Sequence, residues 1–142
     1  MFIESKMMQS NYLLEKALDV ESLRRKVISN NVANVDVPHF KRSEVNFESQ
    51  LKRVINERQE MENKLPALMN DSRHIPFFIP REVTGVQARI NLDYNSTYRN
   101  DGNNVDIEKE MVDAAQNMMR YNAFVSGLNH NYKLLKLSMK TV

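Results

Sequence analysis

The chain has 142 residues, of which 20 are basic and 18 acidic for a formal charge of +2, and it contains no cysteine. That length suits a single domain able to bury a core unaided, and the missing thiols exclude disulfides, thiolate metal sites and thiol nucleophiles. The charges are mostly interspersed, which argues against a dedicated phosphate-binding surface and so against nucleic acid as the natural partner.

The first ten residues, "MFIESKMMQS", put Glu4 and Lys6 where a secretory signal needs an apolar core, and no apolar run is long enough to span a bilayer. Any route out of the cytoplasm is therefore expected to cleave nothing recognisable. From about Ser10 to Val35, Leu13, Leu14, Ala17, Leu18, Val20, Val27 and Ile28 fall on one broad helical face. Glu21 and Arg24 interrupt that face, spaced so that they can bridge each other or a neighbouring chain. The helix runs into "SNNVANVDVPHFKR", Ser29 to Arg42, where Asn30, Asn31 and Asn34 stand although asparagine is a mediocre helix former that competes for backbone hydrogen bonds. Something other than helix propensity placed them.

A third helix is expected from about Ser43 to Lys64, with Phe47, Leu51, Val54, Met61 and Leu65 at heptad spacing, Arg58 breaking it and Pro66 ending it. Between Leu65 and Asn100 the period changes. "VQARINLDY", Val86 to Tyr94, alternates apolar and polar residues as a half-buried strand does, and "HIPFFIP", His74 to Pro80, is a short companion confined to an edge by its prolines. "NDGNN", Asn100 to Asn104, supplies turn chemistry before the last helix. There Ile107, Met111, Ala114, Met118, Tyr121, Val125, Leu128, Tyr132, Leu135 and Met139 keep an alternating spacing of four and three. Such a helix is roughly 50 Å long, and its methionine-rich seam has more length than the rest of the chain can readily cover. Asp106, Glu108, Glu110 and Asp113 at its start, with Lys133, Lys136 and Lys140 at its end, complement the helix dipole.

Residues for catalysis are hard to assemble. His39, His74 and His130 lie in three different elements, without the spacing of a metal site. A calcium loop counted from Asp93 would need glycine at its sixth position and glutamate at its twelfth, where Tyr98 and Asn104 stand. Glu108 and Glu110 are two apart on a helix and diverge. There is no glycine-rich phosphate loop and no nucleophile elbow. The expectation is no enzyme, no cofactor and no metal.

The stretch "SNNVANVDVPHFKR" resembles the asparagine-rich signature of the flagellar rod, hook and hook-associated axial proteins, A-N-N-[IV]-A-N-x-x-T-x-G-[FY]-K. Together with "DGNNVDIEKEMVDAAQNMMRYNAFVSGLNHNYKLLK" near the C-terminus and "RHIPF" at Arg73 to Phe77, it is most similar to the proximal rod members of that family. The signature residues here are Asn30, Asn31, Asn34, Pro38, Phe40 and Lys41. Val37 and His39 replace the usual threonine and glycine, so the turn after Pro38 lacks the residue best suited to positive φ.

The resemblance implies an axial structural protein of the basal-body rod, in the periplasm. Its implied partners are copies of itself, other rod proteins, the adaptor FliE below and the flagellar type III export apparatus. The implied function is torque transmission through a stiff tube. The fold expected is mainly α, with long N- and C-terminal helices pairing as a coiled coil, a third helix and a small β or irregular central insert. In segments, residues 1–42 carry the axial helix and signature, 43–65 the third helix, 66–104 the insert and 105–142 the C-terminal axial helix. The expected seam comprises Leu14, Ala17, Ile28, Ile107, Met111, Met118, Val125, Leu128 and Tyr132. Buried amides can set helix register, so Asn31 and Asn34 are expected to meet Asn122 or Asn129. The alternatives are a free-standing coiled-coil adaptor dimerising through the Ile107 to Met139 seam and, more remotely, a basic helical protein that binds nucleic acid.

Overall fold

The computed structural model describes residues 6–62, 82, 85–96 and 98–140. Three helices and two short strands follow in the order α1 (Lys6–Ala33), β1 (Ser43–Asn46), α2 (Glu48–Glu62), β2 (Arg89–Leu92) and α3 (Ile107–Lys140). The chain forms two compact units, one made of the segments up to Val45 and from Ile90 onward, the other of Asn46–Arg89.

In the first unit α1 packs on α3. Their order is antiparallel, because contacts that advance along α1 retreat along α3: Asn11 meets Asn131, Glu21 meets Asn117 and Asn31 meets Glu110. At 34 residues α3 is about 50 Å long, as its seam predicted. Asp106 caps it, its carboxylate accepting from the N–H groups of Glu108 and Lys109 at 3.0 and 3.3 Å.

The interior of this unit is unusual in composition. Among the described residues it buries Val20, Val27, Ile28 and Val105, but also Asn11, Glu21, Asn31, Asn103, Asn104, Glu110 and Asn117. Buried polar groups need partners or cost several kcal/mol, roughly 1–3 for each unsatisfied group, so this interface specifies one alignment more sharply than an apolar one.

The helix expected from Ser43 begins only at Glu48. Ser43–Asn46 is extended because its backbone is claimed from elsewhere: the Arg42 N–H donates to Asn104 Oδ1 at 2.6 Å and the Ser43 N–H to Asn31 Oδ1 at 3.0 Å. β1 pairs with β2 in a two-stranded antiparallel ribbon. The strand expected over Val86–Tyr94 is shorter, and its apolar side chains are not half-buried: Ile90, Leu92 and Tyr94 are 54%, 50% and 69% exposed. No layer among the described residues covers that face, and alternation in sequence cannot show whether one exists. "HIPFFIP", "RHIPF" and Pro66 lie outside the described residues.

The second unit consists of α2 and the segment before β2. Among its described residues Phe47, Val54 and Val86 are the buried apolar ones, and Val54 and Val86 line a shallow pocket of about 280 Å³ with Gln50, Gly85 and Arg89.

Candidate assembly site

The end of α1, the signature loop, β1 and the turn before α3 tie into one polar knot. Asn103 is fully buried and sits at its centre. Its amide donates to the carbonyl oxygens of Asn34, Val35 and Val37 at 3.0, 3.0 and 2.8 Å, while its Oδ1 accepts from the Val105 N–H at 2.7 Å. Asn104, beside it, accepts from the Arg42 N–H and donates to Asp93 O at 2.7 Å and to Ser96 Oγ at 3.2 Å. Arg99 donates to Val35 O and Asp36, and Lys41 Nζ to Gly102 O at 2.9 Å. The signature loop is thus held at the carbonyls of Asn34, Val35 and Val37.

Below the knot lies a buried charge. The side chain of Glu110 has no exposed surface, and it receives Nε of Arg42 on Oε1 and Nδ2 of Asn31 on Oε2, the latter at 3.2 Å. Arg42 also reaches Asp113 at 3.1 Å and Glu44 at 3.4 Å. Burial works to lower the pKa of the Arg42 guanidinium, but the hydrogen bond and charge of Glu110, with Asp113 and Glu44, outweigh it and hold the group above its ordinary value. Arg42 therefore stays charged at any working pH. Asp93 closes a small turn nearby, and the hydroxyl of Ser96, followed by the Asn95 and Ser96 N–H groups, holds its carboxyl below the usual range.

Further along the helix pair two more polar rungs follow. Asn117 donates to both the backbone and the side chain of Glu21, which Arg24 also holds at 2.6 Å. Asn131 donates to Asn11 at 2.7 Å. Tyr132 adds an outer bond to Glu15 at 3.1 Å, which raises the pKa of its hydroxyl.

The expected signature residues divide. Asn31 is buried and bonds Ser43 O and Glu110. The side chain of Asn34 instead reaches back to Asn30, at 2.7 Å to its carbonyl and 2.6 Å to its Oδ1. Neither meets Asn122 or Asn129, both of which are exposed; the partners of the signature are the start of α3 and β1. Pro38 is exposed and Phe40 half-buried, Phe40 closing a turn through its N–H to Val37 O. His39 has φ +61°, so the left-handed conformation is kept without glycine. Gly102, also left-handed at +79°, packs against its ring, where a Cβ would come within 2.8 Å of His39 Nδ1.

The expected seam is rotated from the one α1 covers. Glu110, Asn117, Phe124, Leu128, Asn131 and Leu135 face α1, on a line roughly 50° from the apolar one read in the sequence. Leu14, which packs on Gly127, Ala17, Val125 and Leu128 are half-buried and Ile28 is buried. Ile107, Met111, Met118 and Tyr132 are 46%, 60%, 60% and 48% exposed. The reason is that polar residues occupy the middle of the α1-facing line. Asn103, Glu110, Asn117 and Asn131, placed on a seven-residue grid, were the available signal, and a search for apolar periodicity passes over them.

The exposed flank borders a groove of about 420 Å³, lined by Arg25, Ile28, Ser29 and Val32 of α1 and by Met111, Ala114, Asn117 and Met118 of α3. It is mostly apolar, open and framed by the two helices. Among the described residues no cluster could hold a metal ion, and no helix is long and apolar enough to cross a membrane.

Fold and site together define a structural, assembly-type protein: two long antiparallel helices locked by a polar knot, with an apolar flank left uncovered. Residues 12–41 match the family model described as flagella basal body rod protein. The flagellar basal body rod protein FlgB of Borrelia hermsii is 40% identical over 90% of this chain and 93% of its own length. FlgB of Bacillus subtilis is 35% identical over 87% of each chain, and that of Escherichia coli 27% over 84% of each. The chain belongs to the FlgB family of flagellar basal body rod proteins and is a structural subunit of that rod.

Proposed function

We propose that this subunit builds the proximal part of the rod by lateral packing of its α1·α3 pair against neighbouring subunits, transmitting torque through the helices. The observation that carries this reading is the flank itself. Internal polar partners satisfy the knot, while Ile107, Met111, Met118 and Tyr132 remain about half exposed or more along one side of α3. A monomer rarely leaves such a stripe bare, whereas an assembly covers it, at roughly 25 cal/mol for each Å² of apolar area removed from water. The resemblance of the signature to axial proteins supports delivery through the flagellar type III apparatus and contact with FliE at the base.

Two experiments test it. Quantitative mass spectrometry of basal bodies stripped of hook and filament should find the chain at a few copies each, lost when the rod is lost. Intact basal bodies without it would end the rod assignment. Met118→Asp should leave the isolated chain folded, since the side chain is exposed there, yet abolish assembly by burying an unpaired charge between subunits. Normal motility in that variant would remove the flank from the interface.

A further inference from the structure

Of the three glycines in the chain only Gly102 follows an aspartate or asparagine. An Asp–Gly step is chemically labile. The aspartate side chain is the right length to close a five-membered ring with the next backbone nitrogen, and glycine has no side chain to hinder the approach. The fold nevertheless places this step in the knot, because both residues have tasks there. Gly102 takes φ +79° against the ring of His39. Asp101 Oδ1 accepts from the Asn103 N–H at 3.1 Å, which helps to fix Asn103 against the signature loop.

The same contacts block the reaction. The attacking nitrogen is occupied, since the Gly102 N–H donates to Arg99 O at 3.1 Å. The carboxylate is held on both oxygens, Oδ1 by the Asn103 N–H and Oδ2 by Arg99 Nε at 3.3 Å, and swinging it toward Gly102 breaks both contacts. The His39 N–H also donates to Asp101 O at 3.1 Å, tying the backbone of the step to the signature loop. Opening the knot releases all of these groups together.

We propose that Asp101–Gly102 is a self-modification site gated by the knot: it isomerises to a β-linked aspartate in chains whose knot is open, and the new linkage then keeps the knot from closing. In the first step the Gly102 nitrogen bonds to the side-chain carboxyl carbon of Asp101, and the amide proton leaves with the carboxyl hydroxyl as water. In the second, water adds to the former main-chain carbonyl of Asp101 and breaks its bond to the Gly102 nitrogen. A free carboxylate is left there, and the chain now runs through the side chain. No co-reactant is consumed and the mass is unchanged. The backbone is longer by one carbon, so the turn from Arg99 to Gly102 loses its closing bond and Asn103 is carried out of line with the carbonyls of Asn34, Val35 and Val37. A subunit that lingers unfolded is thereby withheld from the folded pool.

The test follows this step at neutral pH and body temperature in the folded full chain, in the full chain in urea and in a synthetic peptide spanning Tyr98–Asp106. β-Linked Asp101 is counted by electron-transfer fragmentation of the digested chain. The chain in urea should match the peptide, and the folded chain should be at least roughly tenfold slower, the factor being set by how seldom the knot opens. Asn103→Ala should raise the folded rate toward that of the peptide. Should that variant not fold, Arg99→Gln, which frees one carboxylate oxygen, gives the same reading. Chains aged in urea are then refolded and sorted by linkage; the β-linked ones should exchange the Val105 amide faster and unfold at lower urea than their unmodified companions. A folded chain that isomerises within about twofold of the peptide, or rates unchanged in both variants, would overturn the gate. A β-linked chain that refolds with Val105 as protected as before would overturn the rest of the proposal.

Discussion

Replacing Asn103 tests whether the knot is held by one amide. Asn103→Ala removes the bonds to three carbonyls, but each keeps another donor: Val37 N–H on Asn34 O, Arg99 on Val35 O and Phe40 N–H on Val37 O. The Val105 N–H, in contrast, is buried and loses its acceptor. Two amide protons forfeited at about 1 kcal/mol each, with one orphaned N–H at about 1–3, give a loss of about 3–5 kcal/mol. Asn103→Asp keeps an acceptor for Val105 but sets a carboxylate oxygen against three carbonyl oxygens and buries a charge. It should therefore be worse than alanine by about 1 kcal/mol or more. Urea unfolding followed by circular dichroism reads the total, and amide exchange at Val105 shows whether the knot opens locally first. An alanine cost under about 1 kcal/mol with unchanged Val105 exchange, or an aspartate variant more stable than the alanine one, would refute the reasoning.

Other consequences are equally direct. Arg42→Ala strands buried Glu110 and should cost about 3–5 kcal/mol in chemical denaturation, while the double change Arg42→Met, Glu110→Leu should recover most of it. Little loss in the single variant would mean that Asn31 alone satisfies the carboxylate. His39→Gly should stabilise by up to about 1 kcal/mol by removing a left-handed side chain. Gly102→Ala should destabilise, and by less in the His39→Gly background; equal costs in both would deny their contact. The Asp93 carboxyl titrates below its unfolded value, so its turn contributes stability fully above about pH 4 and loses it as pH falls through the folded value. An NMR midpoint at or above the ordinary carboxylate range would contradict the Ser96 bond.

The sequence by itself determined the helical termini, the length of α3 and the rod family, because apolar periodicity and the asparagine signature are local features that one strand of text carries. The bridge between Glu21 and Arg24 was legible for the same reason, being a single turn of helix. Only the tertiary structure decided what the asparagines do. Asn31 finds its partners 12 and 79 residues away, and Asn103 finds its own in a loop more than 60 residues earlier. A reading by hydrophobicity alone sets the seam on the apolar line, where Met111 and Met118 lie. The fold turns α3 so that Glu110 and Asn117 face α1, because a buried amide or carboxylate that finds its exact complement costs little, and away from that complement a great deal. That rotation leaves the methionines and lysines outward, available to a neighbour.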